Sequence, residues 1–171
     1  MMTSSCKRLL PYRSAFALLL GFLGVSCAPS KEVIKLHEVP NFDASAEVTM
    51  LFLTFDLNKK GKRETAALTK SFAAAGKVKD SGSHVHGLSR IETVIYYSDG
   101  NPPKTLYAEH PLYKDQEVFH PDGTIRKVSE RVSSGSLTLR IPVEKNMETL
   151  ELFSTGPDHS HKKLFTLKFA L

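Results

Sequence analysis

The chain has 171 residues, with 23 Lys plus Arg against 18 Asp plus Glu and a formal net charge of +5 at neutral pH. Two cysteines and no tryptophan among them exclude a disulfide-stapled scaffold. Three of the cations, Lys7, Arg8 and Arg13, sit in an N-terminal leader; without it 20 basic residues face 18 acidic ones, and no dense basic cluster is interleaved with aromatics, which excludes nucleic acid as a partner.

The leader has a positive start and then an uncharged run of 13 residues from Ser14 to Ser26, rich in Leu, Phe and Ala. That run is too short for a helix crossing a ~30 Å hydrocarbon core, which needs about 20 residues, and it suits a signal peptide over residues 1–26. It ends in Leu23-Gly24-Val25-Ser26-Cys27, the layout of a lipoprotein processing site with a small residue before the cysteine that receives the lipid. Leu is usual three positions before that cysteine, and Gly24 stands there instead. Cleavage after Ala28 is the alternative route and leaves no lipid; retention of the run as a plain membrane anchor is another. With Cys6 lost in the leader and Cys27 lipidated, the mature chain has no thiol for catalysis. The expected location is the bacterial cell envelope, on its periplasmic or surface face. The lipid bilayer is then a partner through the N-terminal anchor, and envelope proteins are further candidates.

Residues 27–45, with Pro29, Pro40 and mixed charge, read as a flexible tether, and residues 46–171 as one domain. Val48 to Leu57 is nearly all apolar and predicts a strand covered on both faces. Asn58 to Lys62 is a polar turn. Residues 64–75 carry alanines that favour a helix, but the surrounding strands favour extended chain, and the strand reading is preferred. Arg90 to Ser98 alternates, with Ile91, Thr93, Ile95 and Tyr97 on one face. After the turn at Ser98–Pro103 comes a short strand at Thr105–Ala108. His120-Pro121-Asp122-Gly123 predicts a chain reversal. Ser136 to Val143, Thr149 to Phe153 and Leu164 to Ala170 complete about seven strands, the rhythm of an all-β antiparallel sandwich.

The leader, the Glu109-His110-Pro111-Leu112 segment, the Pro121-Asp122-Gly123 turn and the closing Leu137-to-Val143 strand together resemble a loose group of small, uncharacterised bacterial lipoproteins with one all-β domain. The resemblance implies an immunoglobulin-like sandwich at a cell surface or in the periplasm. It implies no catalytic or ligand residues.

Two His-x-His pairs stand out, His84/His86 and His159/His161. On an extended strand residues i and i+2 point to one side, so each pair could offer two imidazoles to Zn²⁺ or Cu²⁺, and four if the pairs meet. Loop histidines in solvated segments are the plainer reading, since a tight zinc site uses three or four ligands with a fixed outer shell. His37, His110 and His120 are isolated and read as structural or exposed. No serine sits in a Gly-x-Ser-x-Gly elbow, and phosphate-loop, His-Glu-x-x-His and calcium-loop motifs are all missing. The expectation is a non-enzymatic binding or structural module without a cofactor. Its alternative is a metal-binding envelope protein using the four histidines.

Overall fold

A computed structural model of the chain describes residues 29–76, 85 and 89–170, with the side chains of Asp115, Gln116 and Lys127 left aside. Among the described residues are ten strands and no α-helix: β1 (Ser30–Lys35), β2 (Thr49–Lys60), β3 (Arg63–Ala75), β4 (Arg90–Tyr97), β5 (Lys104–Glu109), β6 (Tyr113–Phe119), β7 (Ile125–Arg131), β8 (Ser134–Pro142), β9 (Met147–Thr155) and β10 (His161–Ala170). A five-stranded sheet in the order β1-β10-β9-β4-β5 lies over a three-stranded sheet, β3-β2-β8, and β6 and β7 pair only with each other. The result is an all-β, sandwich-like fold. Seven of the ten strands are those read from the sequence; the additions are β1 and the β6–β7 ribbon. Pairing is antiparallel everywhere except between β1 and β10, which run parallel. That corrects the wholly antiparallel expectation.

The core comes from period-two alternation. Leu51, Leu53, Phe55 and Leu57 of β2 point inward and are fully buried, against Ile91, Ile95, Leu150, Leu152, Phe165 and Leu167 of the other sheet. Phe55 and Phe165 meet edge to face, ring centres 5.3 Å apart, and join the two layers. The sequence reading had β2 covered on both faces, and that is corrected. Its outer residues alternate with the buried ones, and the apolar outer Phe52 stacks on Phe72 of β3 at 4.6 Å rather than entering a core. Residues 64–75 form strand, as preferred, because the small Ala66 and Ala73 fill inward positions where β3 closes against β10.

Residues 30–39, read from the sequence as tether, belong to the folded unit. Ser30–Lys35 pairs with Phe165–Ala170, and the following single 3-10 turn, Leu36–Glu38, leads Leu36 and Val39 into the core. An edge strand needs few apolar side chains when its neighbour supplies the hydrogen bonds. The charged Lys31, Glu32 and Lys35 simply face solvent.

The β2–β3 turn at Gly61-Lys62, the β9–β10 turn, the end of β5 and the start of β4 gather at one end of the sandwich. Gly61 stands first in this two-residue turn with φ +62°, the conformation such a hairpin demands of its first residue. This end carries Lys59, Lys60, Lys62 and Arg63 and is termed the basic end. From it the β6–β7 ribbon departs, with Tyr113 opposite Arg131 at its base and Phe119 opposite Ile125 at its tip. The predicted reversal at His120–Gly123 closes the tip, the Gly123 amide donating to the His120 carbonyl at 2.9 Å.

Candidate functional site

Between the two sheets at the basic end lies a cluster of polar side chains. Each member holds an inward or bend position on a different element: Lys59 on β2, Glu64 on β3, Ser154 on β9, His110 in the bend after β5, and Tyr113 at the foot of β6. His110-Pro111-Leu112 is buried as a unit. The Leu112 amide donates to Nδ1 of His110 at 3.1 Å, which leaves the ring proton on Nε2. That nitrogen donates to Oγ of Ser154 at 2.9 Å, and the hydroxyl donates onward to Oε2 of Glu64 at 2.6 Å. On the other carboxylate oxygen, Tyr113 donates its phenol proton to Glu64, and Lys59 donates to the phenol oxygen. Lys59 Nζ also stands 3.4 Å from Oε1 of Glu64 and 4.5 Å from the centre of the Tyr113 ring.

Burial of Glu64 works to raise its pKa. The polar hydrogens of His110, Ser154 and Tyr113 outweigh it and hold the carboxyl well below the usual carboxylate range. Burial and the bond to Glu64 push the Tyr113 phenol up. The bond to Tyr113 raises Lys59.

Serine, histidine and glutamate in one network invite comparison with a hydrolytic triad, and the connectivity rules that out. In a triad the histidine stands between serine and acid and takes the hydroxyl proton. Here Ser154 stands in the middle, its proton committed to Glu64. Ser154 and His110 are each 1% exposed, so no substrate carbonyl reaches them. What the arrangement does is tie the sheets and the bend together with every hydrogen-bonding group matched, the condition under which a buried network adds rigidity. The bend needs Gly135 of β8 beside it: a Cβ there would stand 2.8 Å from the Pro111 carbonyl oxygen and 2.9 Å from its Cβ.

Outside this network the surface is rich in basic side chains. A cleft of about 270 Å³ is lined by Lys59, Lys62, Arg131 and Lys162 together with Tyr113, Glu64 and Asp158. Across the β2–β3 hairpin a wider recess is lined by Lys59, Lys60 and Arg63 with Thr65, Ser133 and Ser134, and no acid.

Of the residues singled out in the sequence, Cys27, His84 and His86 lie outside the described residues. His159 does not sit on a strand: it occupies the β9–β10 turn at φ +58°. The i, i+2 alignment expected of extended chain therefore does not apply to it and His161. The His161 ring stacks on Phe153, with centres 4.8 Å apart, and its Nε2 is 3.4 Å from Oε2 of Glu92. Among the described residues no group of three or more His, Cys, Asp or Glu is placed to hold a metal.

The sequence reading missed Glu64 and Ser154. Both have a signal, since each is a polar residue in the inward phase of its strand: Glu64 with Ala66, Ser154 with Leu150 and Leu152. No family model, curated protein or solved structure matches the chain.

Proposed function

We propose that the chain is a bacterial envelope lipoprotein, held on the membrane by a lipid on Cys27, whose immunoglobulin-like sandwich serves as a non-catalytic binding or structural module. The observation that carries this reading is the leader itself: a basic start, a 13-residue uncharged run, and small residues leading to Cys27. The interior supports the non-catalytic part. The polar network at the basic end spends the hydroxyl of Ser154 and the imidazole of His110 on bonds between elements, which leaves neither free to attack or to move a proton to substrate.

The test is metabolic labelling of the full chain with palmitate. The expected result is label on the wild-type protein, recovered with membranes, and loss of both label and membrane recovery in Cys27→Ala. Label persisting in Cys27→Ala overturns the reading.

A further inference from the structure

The geometry points to the basic end as the face on which this domain lies directly on an anionic bilayer, the β2–β3 tip over the headgroups and the tip of the β6–β7 ribbon in the interface. The inference rests on the anchor at Cys27 proposed above.

Three observations converge on it. The first is the shortness of the connection. Only Ala28 and Pro29 separate Cys27 from β1, and the three steps to Ser30 span at most about 11 Å of chain. A lipid at Cys27 thus holds the domain against the membrane rather than clear of it. The second is direction. β1 runs parallel to β10, from Ser30 opposite Phe165 to Lys35 opposite Ala170, and β10 begins at the basic end. The N-terminal residue of β1 lies four residues inside the start of β10 and points toward that end, so the extended residues before it bring Cys27 back close to the level of the basic end.

The third is surface chemistry. Lys60, Lys62 and Arg63 are exposed on the hairpin tip, and Arg131 and Lys162 line the cleft beside it. Of the acids near it, Glu64 is held in the buried network and Asp158 bonds the amide and hydroxyl of Ser160, while Glu109 at the end of β5 and Asp122 at the ribbon tip, the latter bonded to Thr124, are exposed and outnumbered by the cations. Clustered cations of this kind are drawn to anionic headgroups. From the same end rises the ribbon, whose Val118, Phe119, Ile125 and Val128 are exposed, Phe119 to 78%. Two antiparallel strands packed on no sheet are marginal in water. Apolar side chains at such a tip gain from burial at the headgroup boundary, while the neighbouring cations stay in the polar layer.

Because the chain has no tryptophan, Phe119→Trp in the full-length protein gives a single fluorescent reporter at the ribbon tip, with Ile125→Trp on the facing strand as a second. Tyr96→Trp, at the opposite end of the sandwich, serves as control. Each is mixed with vesicles of phosphatidylcholine alone or with about a third phosphatidylglycerol. The expected result is a blue shift, and quenching by lipids brominated on their acyl chains, at positions 119 and 125 in the anionic vesicles only. The triple variant Lys60→Glu, Lys62→Glu, Arg63→Glu should lower the apparent affinity of that response about tenfold or more. Emission at 119 and 125 that stays water-like while the protein floats with the vesicles overturns the docking and leaves the anchor standing. A blue shift that grows with protein concentration and needs no vesicles also overturns it, in favour of a second copy of the chain. Palmitate labelling reads the anchor independently.

Discussion

A carboxylate as deeply buried as Glu64, with a side chain 4% exposed, stays charged because Tyr113, Ser154, His110 and Lys59 surround it. Removing it strands those partners. Glu64→Ala should cost about 3 kcal/mol in urea unfolding, the range for breaking a buried charged network at one member. The pH dependence follows from the depressed pKa. The folded protein holds the carboxyl ionised at pH values where the unfolded chain, titrating near the ordinary glutamate value of 4.5, takes up a proton. The contribution is therefore complete above that value and falls away as pH drops through it. Wild-type stability should decline more steeply than that of Glu64→Gln between about pH 5 and pH 2; parallel declines would refute the assignment. Gly135→Ala tests the bend from the other side. Its new Cβ would press on Pro111 backbone and ring atoms, and neither is the free end of a flexible side chain. A loss of about 1–3 kcal/mol is expected, read as a lower Tm with Glu64 intact.

At the scale of elements, period-two patterns were legible in β4 and β8, whereas in β2 the apolar Met50 and Phe52 of the other phase masked the alternation. The inward sets Ile91/Thr93/Ile95 and Leu137/Leu139/Ile141 read directly from alternation and are buried as expected. β1 was not legible, because Ser-Lys-Glu-Val-Ile-Lys has no apolar face; its stability comes from pairing with a strand more than 130 residues away. Leu36→Ala should therefore cost about 2–3 kcal/mol, whereas Val33→Ala, at an exposed position of the same segment, should cost almost nothing. Equal, negligible effects would mean that residues 30–39 do behave as tether. The ribbon was missed for the opposite reason: its apolar residues lie at an exposed tip, so no burial pattern marks it. Standing apart from both sheets, β6 and β7 should exchange their amide hydrogens much faster than β2 and β9, which lie inside the two sheets.

Across the whole molecule, charge matters more by placement than by sum. Outside residues 1–26 the chain is close to balanced, yet Lys59, Lys60, Lys62, Arg63, Arg131 and Lys162 collect at one end. If the two-residue link holds that end on the membrane, a flexible Gly/Ser spacer of about 12 residues inserted after Ala28, adding ~20 Å of reach, should leave Tm unchanged. It should also open the Lys59–Arg63 hairpin to trypsin in intact membranes. Equal cleavage with and without the spacer would count against the orientation.

The sequence by itself determined the all-β class and most strand positions, because apolar runs, alternation and turn residues are local properties. The tertiary structure decided three other features. It drew residues 30–39 into a sheet, joined Glu64, His110 and Ser154 into one network, and set the basic hairpin beside the base of the ribbon. Each of these depends on contacts between residues far apart in the chain. Local pattern can mark such a residue as polar or charged, but which partners meet it is fixed only when the sheets close.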